Sequence, residues 1–124
     1  MPTEAELDIL NVLWQRGPST VREVHEMLYR DEGAGYTTAL KLLQVMHIKG
    51  LVERDDSQRA HVYRAVSSKE FTQKRFLTDM VQRVFDGSPS QLVLHALGNA
   101  ARASRQELAE IRALLAKLEQ RGRA

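Results

Sequence analysis

Apolar residues recur every three or four positions in the first part of the chain, which predicts amphipathic helices. Two of these helices have a recognisable start, because Thr3 is followed three residues later by Glu6, and Thr20 by Glu23. At this spacing the threonine hydroxyl and the glutamate carboxylate each accept a hydrogen bond from the other residue's backbone N–H group. A Gly-Pro pair then ends the first helix. The chain is therefore predicted to open with two short helices, one after Thr3 and one after Thr20.

A third helix is predicted between Thr37, a candidate N-cap, and Gly50, which supplies a stop. Its apolar stripe faces a core and consists of Ala39, Leu42, Leu43 and Met46. The opposite face carries Thr37, Thr38, Lys41, Gln44, Val45 and Ile48, and Lys49 lies near the negative end of the helix dipole. Hydroxyl, amide, cationic and small apolar groups match the chemistry of base edges and phosphates. The alternative is that Thr37 is only a cap, that the lysines are solvated, and that Val45 and Ile48 belong to the core.

Two short runs with strand-like alternation follow this helix, Leu51 to Asp55 and Ala60 to Val66, and a polar turn from Asp56 to Arg59 separates them. A helix that leads directly into a two-stranded hairpin is the order of elements in a winged helix. Cations lie along the hairpin at Arg54, Arg59, His61 and Arg64. They could contact phosphates or a minor groove, or they could simply keep an edge strand soluble. The third helix is therefore predicted to be a recognition helix, and the hairpin is predicted to be the wing.

Three further helix starts lie in the second half of the chain: Ser67 with Glu70, Ser88 with Pro89 and Gln91, and Ser104 with Glu107. Apolar residues cover a wide arc of these helices, so they need cover on more than one side. We expect this cover to come from a two-fold interface with an identical chain. The residues assigned to that interface are Leu77, Met80, Val81, Val84, Leu94, Leu97, Leu108, Ile111, Leu115 and Leu118. The alternative is a helical subdomain that closes on itself within one chain.

The predicted fold is mostly α-helical with a small β-hairpin wing. Residues 1–67 form an N-terminal winged helix-turn-helix DNA-binding domain, and residues 68–124 form a C-terminal three-helix dimerisation domain. At 124 residues and 43% hydrophobic content, the chain can bury one modest core, or two small cores if a partner completes the second. The residues predicted to contact DNA are Thr37, Thr38, Lys41, Gln44, Val45, Lys49, Arg54 and Arg59.

Four short motifs also carry a resemblance to a known family. They are E-x-x-I-L-x-V-L-W from Glu6 to Trp14, T-V-R-E-V from Thr20 to Val24, Y-T-T beginning at Tyr36, and K-G-L-V from Lys49 to Val52. The chain resembles the penicillinase repressor family over nearly its whole length; this family includes the methicillin-resistance and the copper-transport repressors. The resemblance implies a DNA-binding repressor with an N-terminal winged helix and a C-terminal dimerisation domain, acting on operators with two-fold symmetry.

The chain departs from the family pattern at three places. Many members carry an arginine where this chain has Val45, which leaves Leu40 and Val45 as candidate contacts to thymine methyl groups. In the antibiotic-response members a membrane sensor leads to cleavage of the repressor, often at an Asn-Phe bond. The corresponding stretch here, from Leu94 to Ala100, has no such pair, so a protease or sensor system that relieves repression is implied only by the resemblance. The cysteine pairs of the copper-responsive members are absent, since the chain has no cysteine.

Composition limits the remaining choices. The formal net charge is only +2, so the total permits a nucleic-acid partner without indicating one, and the distribution of charge matters more. The lack of cysteine excludes disulfides and thiolate metal sites. No signal peptide or membrane-spanning apolar run is evident, which predicts a soluble, cytoplasmic protein without membrane insertion.

The sequence also bears on two other classes of function. An enzyme is not expected, nor is a cofactor or metal, because the four histidines are scattered and the chain lacks a phosphate loop or a nucleophile elbow. A winged-helix module could instead bind a protein, or a regulator could hold a small ligand between its domains. A positive surface near Lys41 and Arg59 would favour DNA, whereas an exposed apolar face of Leu40, Val45 and Ile48 would favour a protein. Ligand control predicts a closed apolar pocket.

Overall fold

The computed structural model describes residues 1–30, 35–98 and 103–122. The elements are, in chain order, α1 (Glu4–Arg16), β1 (Ser19–Thr20), α2 (Val21–Leu28), α3 (Tyr36–Lys49), β2 (Val52–Asp55), β3 (Val62–Ala65), α4 (Lys69–Arg83), α5 (Pro89–Gly98) and α6 (Arg105–Gly122). This architecture confirms the prediction of a mostly helical fold with a small hairpin. Within the described ranges, no helix combines the length and the apolar character that crossing a bilayer would require.

Capping boxes begin three helices, α1, α2 and α6, at S/T-x-x-E spacings that the sequence shows. The Thr3 backbone N–H donates to Glu6 Oε1 over 2.8 Å, and the Glu6 N–H donates to Thr3 Oγ1 over 3.2 Å. The pair Thr20 and Glu23 repeats this arrangement at the start of α2. The predicted capping box of Ser104 with Glu107 and the predicted cap at Ser88 are also present. These predictions are confirmed, and each of these contacts joins residues only three positions apart.

Two predicted caps were wrong. Helix α3 begins two residues earlier than expected, with Gly35 as N-cap and no described side chain accepting from its first turn, so Thr37 lies inside the helix. Helix α4 is capped by Ser68, whose Oγ accepts from the Phe71 N–H over 3.1 Å, and not by Ser67. Ser67 instead uses its backbone carbonyl to accept a 2.9 Å hydrogen bond from Trp14 Nε1. A contact distant in sequence therefore holds Ser67 outside the helix.

The sheet has three antiparallel strands in the order β1-β3-β2. Strands β2 and β3 form the predicted hairpin, although both are shorter than expected and residues 56–61 connect them. Strand β1 was not predicted, because two residues are too few to show an alternating pattern. It pairs Ser19 with Tyr63 and so attaches the hairpin to the chain between α1 and α2.

One hydrophobic core joins α1, α2, α3 and the sheet. It consists of Ile9, Leu10, Val12, Leu13, Val21, Val24, Ala39, Leu43, Met46, Val52 and Tyr63. The predicted inner stripe of α3 is thus confirmed, with Leu42 partly buried beside it. Because α3 packs by this stripe, its opposite face is turned away from the core.

The chain divides into two compact units, Met1–Thr78 and Asp79–Ala124. In the described part of α4, α5 and α6, no residue is fully buried. A helical subdomain that closes on itself within one chain would have fully buried residues in its core. The absence of such residues from the described part of these helices does not favour that alternative. The functional boundary near residue 67 stays a prediction. In the stretch 94–100 that lacks an Asn-Phe pair, Asn99 and Ala100 lie outside the described residues.

Candidate nucleic-acid interface

The outer face of α3 is open to solvent along its whole length. Its exposed residues are Thr37, Thr38, Lys41, Gln44, Val45 and Ile48. Ile48 is 85% exposed and Val45 is 44% exposed, so neither belongs to the core, and that alternative was wrong. The face offers hydroxyl, amide, cationic and apolar groups in neighbouring turns, which is the set of groups that reads base edges in a major groove.

The N-terminal end of α3 is suited to a negatively charged partner. Among the residues that the structure describes, no side chain caps it, and its first turn contains no acidic residue. The backbone N–H groups of the first turn and the positive end of the helix dipole therefore lie beside the hydroxyls of Thr37 and Thr38. This combination favours a phosphate group at that end.

Lys41 and Lys49 differ in their surroundings. Lys41 is exposed, and it makes no ion pair with any described residue. The Nζ atom of Lys49, in contrast, lies 3.1 and 3.0 Å from the two carboxylate oxygens of Glu6 in α1. Lys41 is therefore available to a partner, whereas the ammonium of Lys49 is already engaged.

The carboxylate of Glu6 is buried, with only 2% of the residue exposed. Burial raises its pKa, but hydrogen bonds from Thr3 and from Lys49 outweigh burial, and the pKa lies below its usual value. Glu6 is therefore charged at neutral pH and needs the cation of Lys49. A DNA contact by Lys49 stays a prediction.

The wing carries its own neutralising charges. Arg54 Nε lies 2.7 Å from the Asp56 carboxylate, and His61 Nδ1 lies 3.6 Å from the same oxygen. Arg64 pairs with Glu53 across the two strands. Arg59, in the connection between the strands, is exposed and has no ion pair in the described parts of the chain. Of the cations predicted on the hairpin, Arg59 is thus the one with an uncompensated charge.

The structure adds two residues, Arg22 and Tyr36, that the sequence did not assign to the site. Arg22 of α2, Tyr36 and Leu40 of α3, and Arg59 and His61 of the hairpin connection line one surface groove. A second depression continues from Arg22 and Tyr36 along α2. Arg22 and Tyr36 occur within the T-V-R-E-V and Y-T-T motifs and lie off the apolar stripes. These two features of the sequence could have assigned them to the site. Their proximity to Arg59 depends on the tertiary fold.

Metal binding has no candidate cluster in the part of the chain that the structure describes, since no three histidine or acidic side chains come together there. The groups that do come together are cations, hydroxyls and an amide on an exposed helix beside a hairpin. These are groups that bind phosphates and base edges.

Three helices, a three-stranded sheet and an open outer face on the third helix define a winged-helix protein of the nucleic-acid-binding class. The sequence model of one family, described as penicillinase repressor, matches residues 2–117. The chain belongs to the penicillinase repressor family, and it is a DNA-binding transcriptional repressor.

Individual relatives agree with this assignment. The transcriptional regulator BlaI, from two strains of Mycobacterium tuberculosis, is 32% identical over 116 residues, which span 89% of this chain and 84% of the relative. Among solved structures, a MarR family protein from Bacillus stearothermophilus has a TM-score of 0.52 at 20% identity, covering 99% of this chain and 76% of that one. The transcriptional regulator Tm0710 from Thermotoga maritima has a TM-score of 0.50 at 17% identity, covering 95% and 74%. These two structures support the fold alone.

Proposed function

We propose that the protein binds a palindromic operator as a homodimer, with α3 in the major groove and the hairpin wing on the adjacent backbone. The observation that carries this proposal is the open outer face of α3, on which Lys41 has no ion pair among the described residues, beside a wing whose Arg59 is equally uncompensated. Cations without internal partners are free to replace the counterions of DNA phosphates.

Each residue of the face has a proposed role. Thr37 and Thr38 bind a phosphate or a base edge at the start of α3, and Lys41 with Gln44 reads base edges in the major groove. Val45, with Leu40 beside it, contacts thymine methyl groups.

The backbone contacts come from outside α3 as well. Arg59 contacts the phosphate backbone from the wing, and Arg22 and Tyr36 extend this contact along α2. Lys49 and Arg54, each held by an internal carboxylate, contribute secondary contacts at most.

The homodimer is proposed from the exposed apolar side chains of the last three helices. Leu77, Met80, Val84, Leu94, Leu97, Leu108, Leu115 and Leu118 are each exposed by more than a third, whereas Val81 and Ile111 are partly buried. Surface of this extent in one chain favours association with a second copy. The two recognition helices of such a dimer lie about one helical turn of DNA apart, or a multiple of it, which requires an operator with two-fold symmetry.

The cellular setting is part of the same proposal. A repressor of this kind acts in the cytoplasm and needs no catalytic activity or cofactor. A sensor or protease system that relieves repression is the expected partner, acting at a bond other than Asn-Phe.

A second candidate function has one observation in its favour. Ile48 and Val45 present an apolar area on the outer face of α3, which a protein surface could cover. We rank DNA first, because the same face also carries Lys41 and Gln44 and adjoins Arg59.

Selection of bound duplexes from a random pool by the purified full chain tests the proposal. The expected result is an inverted repeat whose half-sites are separated by about 10 base pairs or a multiple of that spacing. Enrichment of no sequence, even at low salt, would overturn the assignment of α3 as a reading helix.

A further inference from the structure

We propose that the protein binds a small amphiphilic carboxylate in an open recess on the side of the core near the start of α4. The recess is open to solvent on one side and has a cavity volume of about 80 Å³, and all its lining residues lie within the unit Met1–Thr78. Its walls combine apolar side chains with a single charged one, Arg75. This proposal goes beyond DNA binding and does not depend on it.

The apolar walls define the part of the ligand that enters the recess. Leu10 of α1, which is 3% exposed, belongs to the core, and Leu51 and Phe76 are partly buried. Phe71 is half-exposed and forms part of the same lining. Water on such surfaces gains few hydrogen bonds, so an aromatic ring or a short hydrocarbon chain displaces it favourably.

Arg75 defines the charge of the ligand. Its guanidinium lies 6.0 Å from the centre of the Phe71 ring, and no carboxylate of the described residues pairs with it. The hydroxyl-bearing residues Ser67 and Thr72 line the same recess. A guanidinium binds a carboxylate with two parallel hydrogen bonds, which fixes both the position and the charge sign of the ligand.

The walls are held in place before any ligand arrives. The Trp14 indole N–H donates to the Ser67 carbonyl, which ties α1 to the segment that precedes α4. The backbone of Leu51 donates to Met46 and accepts from Val66, so Leu51 is fixed between α3 and the end of the hairpin. Preformed walls reduce the loss of conformational freedom on binding.

Amide chemical shifts of the full-length chain, recorded during titration with benzoate and separately with neutral benzamide, test this proposal without DNA. We expect saturable shifts at Leu10, Leu51, Phe71 and Phe76 with both probes, and tighter binding of benzoate. The substitution Arg75→Gln should weaken benzoate by about fivefold and leave benzamide unchanged, because an exposed ion pair contributes modestly to affinity.

Two further variants keep the result interpretable. Arg83→Gln, which removes an arginine of the same helix that already pairs with Asp79, should leave both affinities unchanged. Phe71→Ser, at a half-exposed position that tolerates a polar side chain, should weaken both probes together. The proposal fails if binding of neither probe saturates, which is the result expected when a second copy of the chain fills the recess. It also fails if the Arg75→Gln variant binds benzoate as tightly as the unaltered chain.

Discussion

At the scale of single residues, the ion pair between Lys49 and Glu6 separates two roles that look alike in the sequence. Lys49 is the last residue of α3, and Glu6 lies in the first turn of α1. Their contact joins the end of α3 to the start of α1, 43 positions away in the sequence. A lysine on a reading helix can therefore hold the helix in position and need not contact DNA.

Replacing Lys49 tests this structural role. The substitution Lys49→Met should lower the free energy of unfolding by about 1–2 kcal/mol, because it leaves the buried carboxylate of Glu6 without its cation. The estimate is at the low end for a buried pair, since Lys49 itself is nearly half-exposed. Urea denaturation measures the change, and Lys41→Met, which removes an unpaired lysine of the same helix, is the control. Equal stability of both variants would contradict the assignment.

The same pair predicts how stability depends on pH. The pKa of Glu6 is lower in the folded chain than in the unfolded chain, so its contribution is complete above the unfolded pKa and is lost as the pH falls through the folded pKa. We expect the free energy of unfolding to fall between about pH 5 and pH 3. Glu6→Gln should flatten this part of the profile, and a profile of unchanged slope would contradict the prediction.

The reading residues make a second prediction at this scale. Lys41→Ala and Gln44→Ala should change the preference among operator sequences, because both side chains lie on the exposed face of α3. Arg59→Ala should weaken all sequences similarly and lower the slope of log affinity against log salt by about one unit.

Gel-shift titrations at several salt concentrations measure these effects. Arg64→Ala is a matched control on the same hairpin, and it should change the slope less because Arg64 pairs with Glu53. Binding that is unchanged in the Lys41, Gln44 and Arg59 variants would remove these residues from the interface.

At the scale of elements, the wing is nearly neutral by itself. Asp56 holds both Arg54 and His61, and Glu53 holds Arg64. The hairpin therefore presents fewer free cations to DNA than its arginine content indicates. This explains why the structure singles out Arg59, while the sequence pattern treats all the hairpin cations alike.

Asp56→Asn should strengthen DNA binding by about two- to fivefold at low salt, because it releases Arg54 and removes a negative charge from the wing. The control is Asp79→Asn, which releases Arg83 of α4, outside the wing. Fluorescence anisotropy with a labelled operator measures both affinities. An Asp56 variant that binds no better than the Asp79 variant would show that the wing does not approach the backbone.

At the scale of the whole molecule, the last three helices are the part of the chain that the proposed dimer would cover. Their described residues are partly or largely exposed, and many of them are leucine, valine or methionine. A dimer removes this surface from water and supplies the symmetry that a palindromic operator requires.

Leu115→Lys should weaken dimerisation by about tenfold or more, because it would bury a charge in an apolar interface. Gln120→Lys adds the same charge at an exposed polar position of α6 and should leave the dimer intact. Sedimentation equilibrium distinguishes the two outcomes. A monomeric unaltered chain, or equal effects of both substitutions, would contradict the proposed interface.

The sequence by itself determined those features whose partners are close along the chain. The capping boxes at Thr3 and Thr20, the inner stripe of α3 and the existence of the β2–β3 hairpin all depend on spacings of a few residues. Periodicity also separated the open face of α3 from its buried face. The family motifs then identified the chain as similar to a family of DNA-binding repressors.

Tertiary structure alone decided the features that join distant residues. Strand β1 exists because Ser19 meets Tyr63, and α4 begins at Lys69 because Trp14 holds Ser67 outside it. The pairing of Lys49 with Glu6 and the position of Arg22 and Arg59 on one groove likewise follow from packing. Local patterns report which face of an element is buried, but a side chain's charge partner is set by how separate elements pack together.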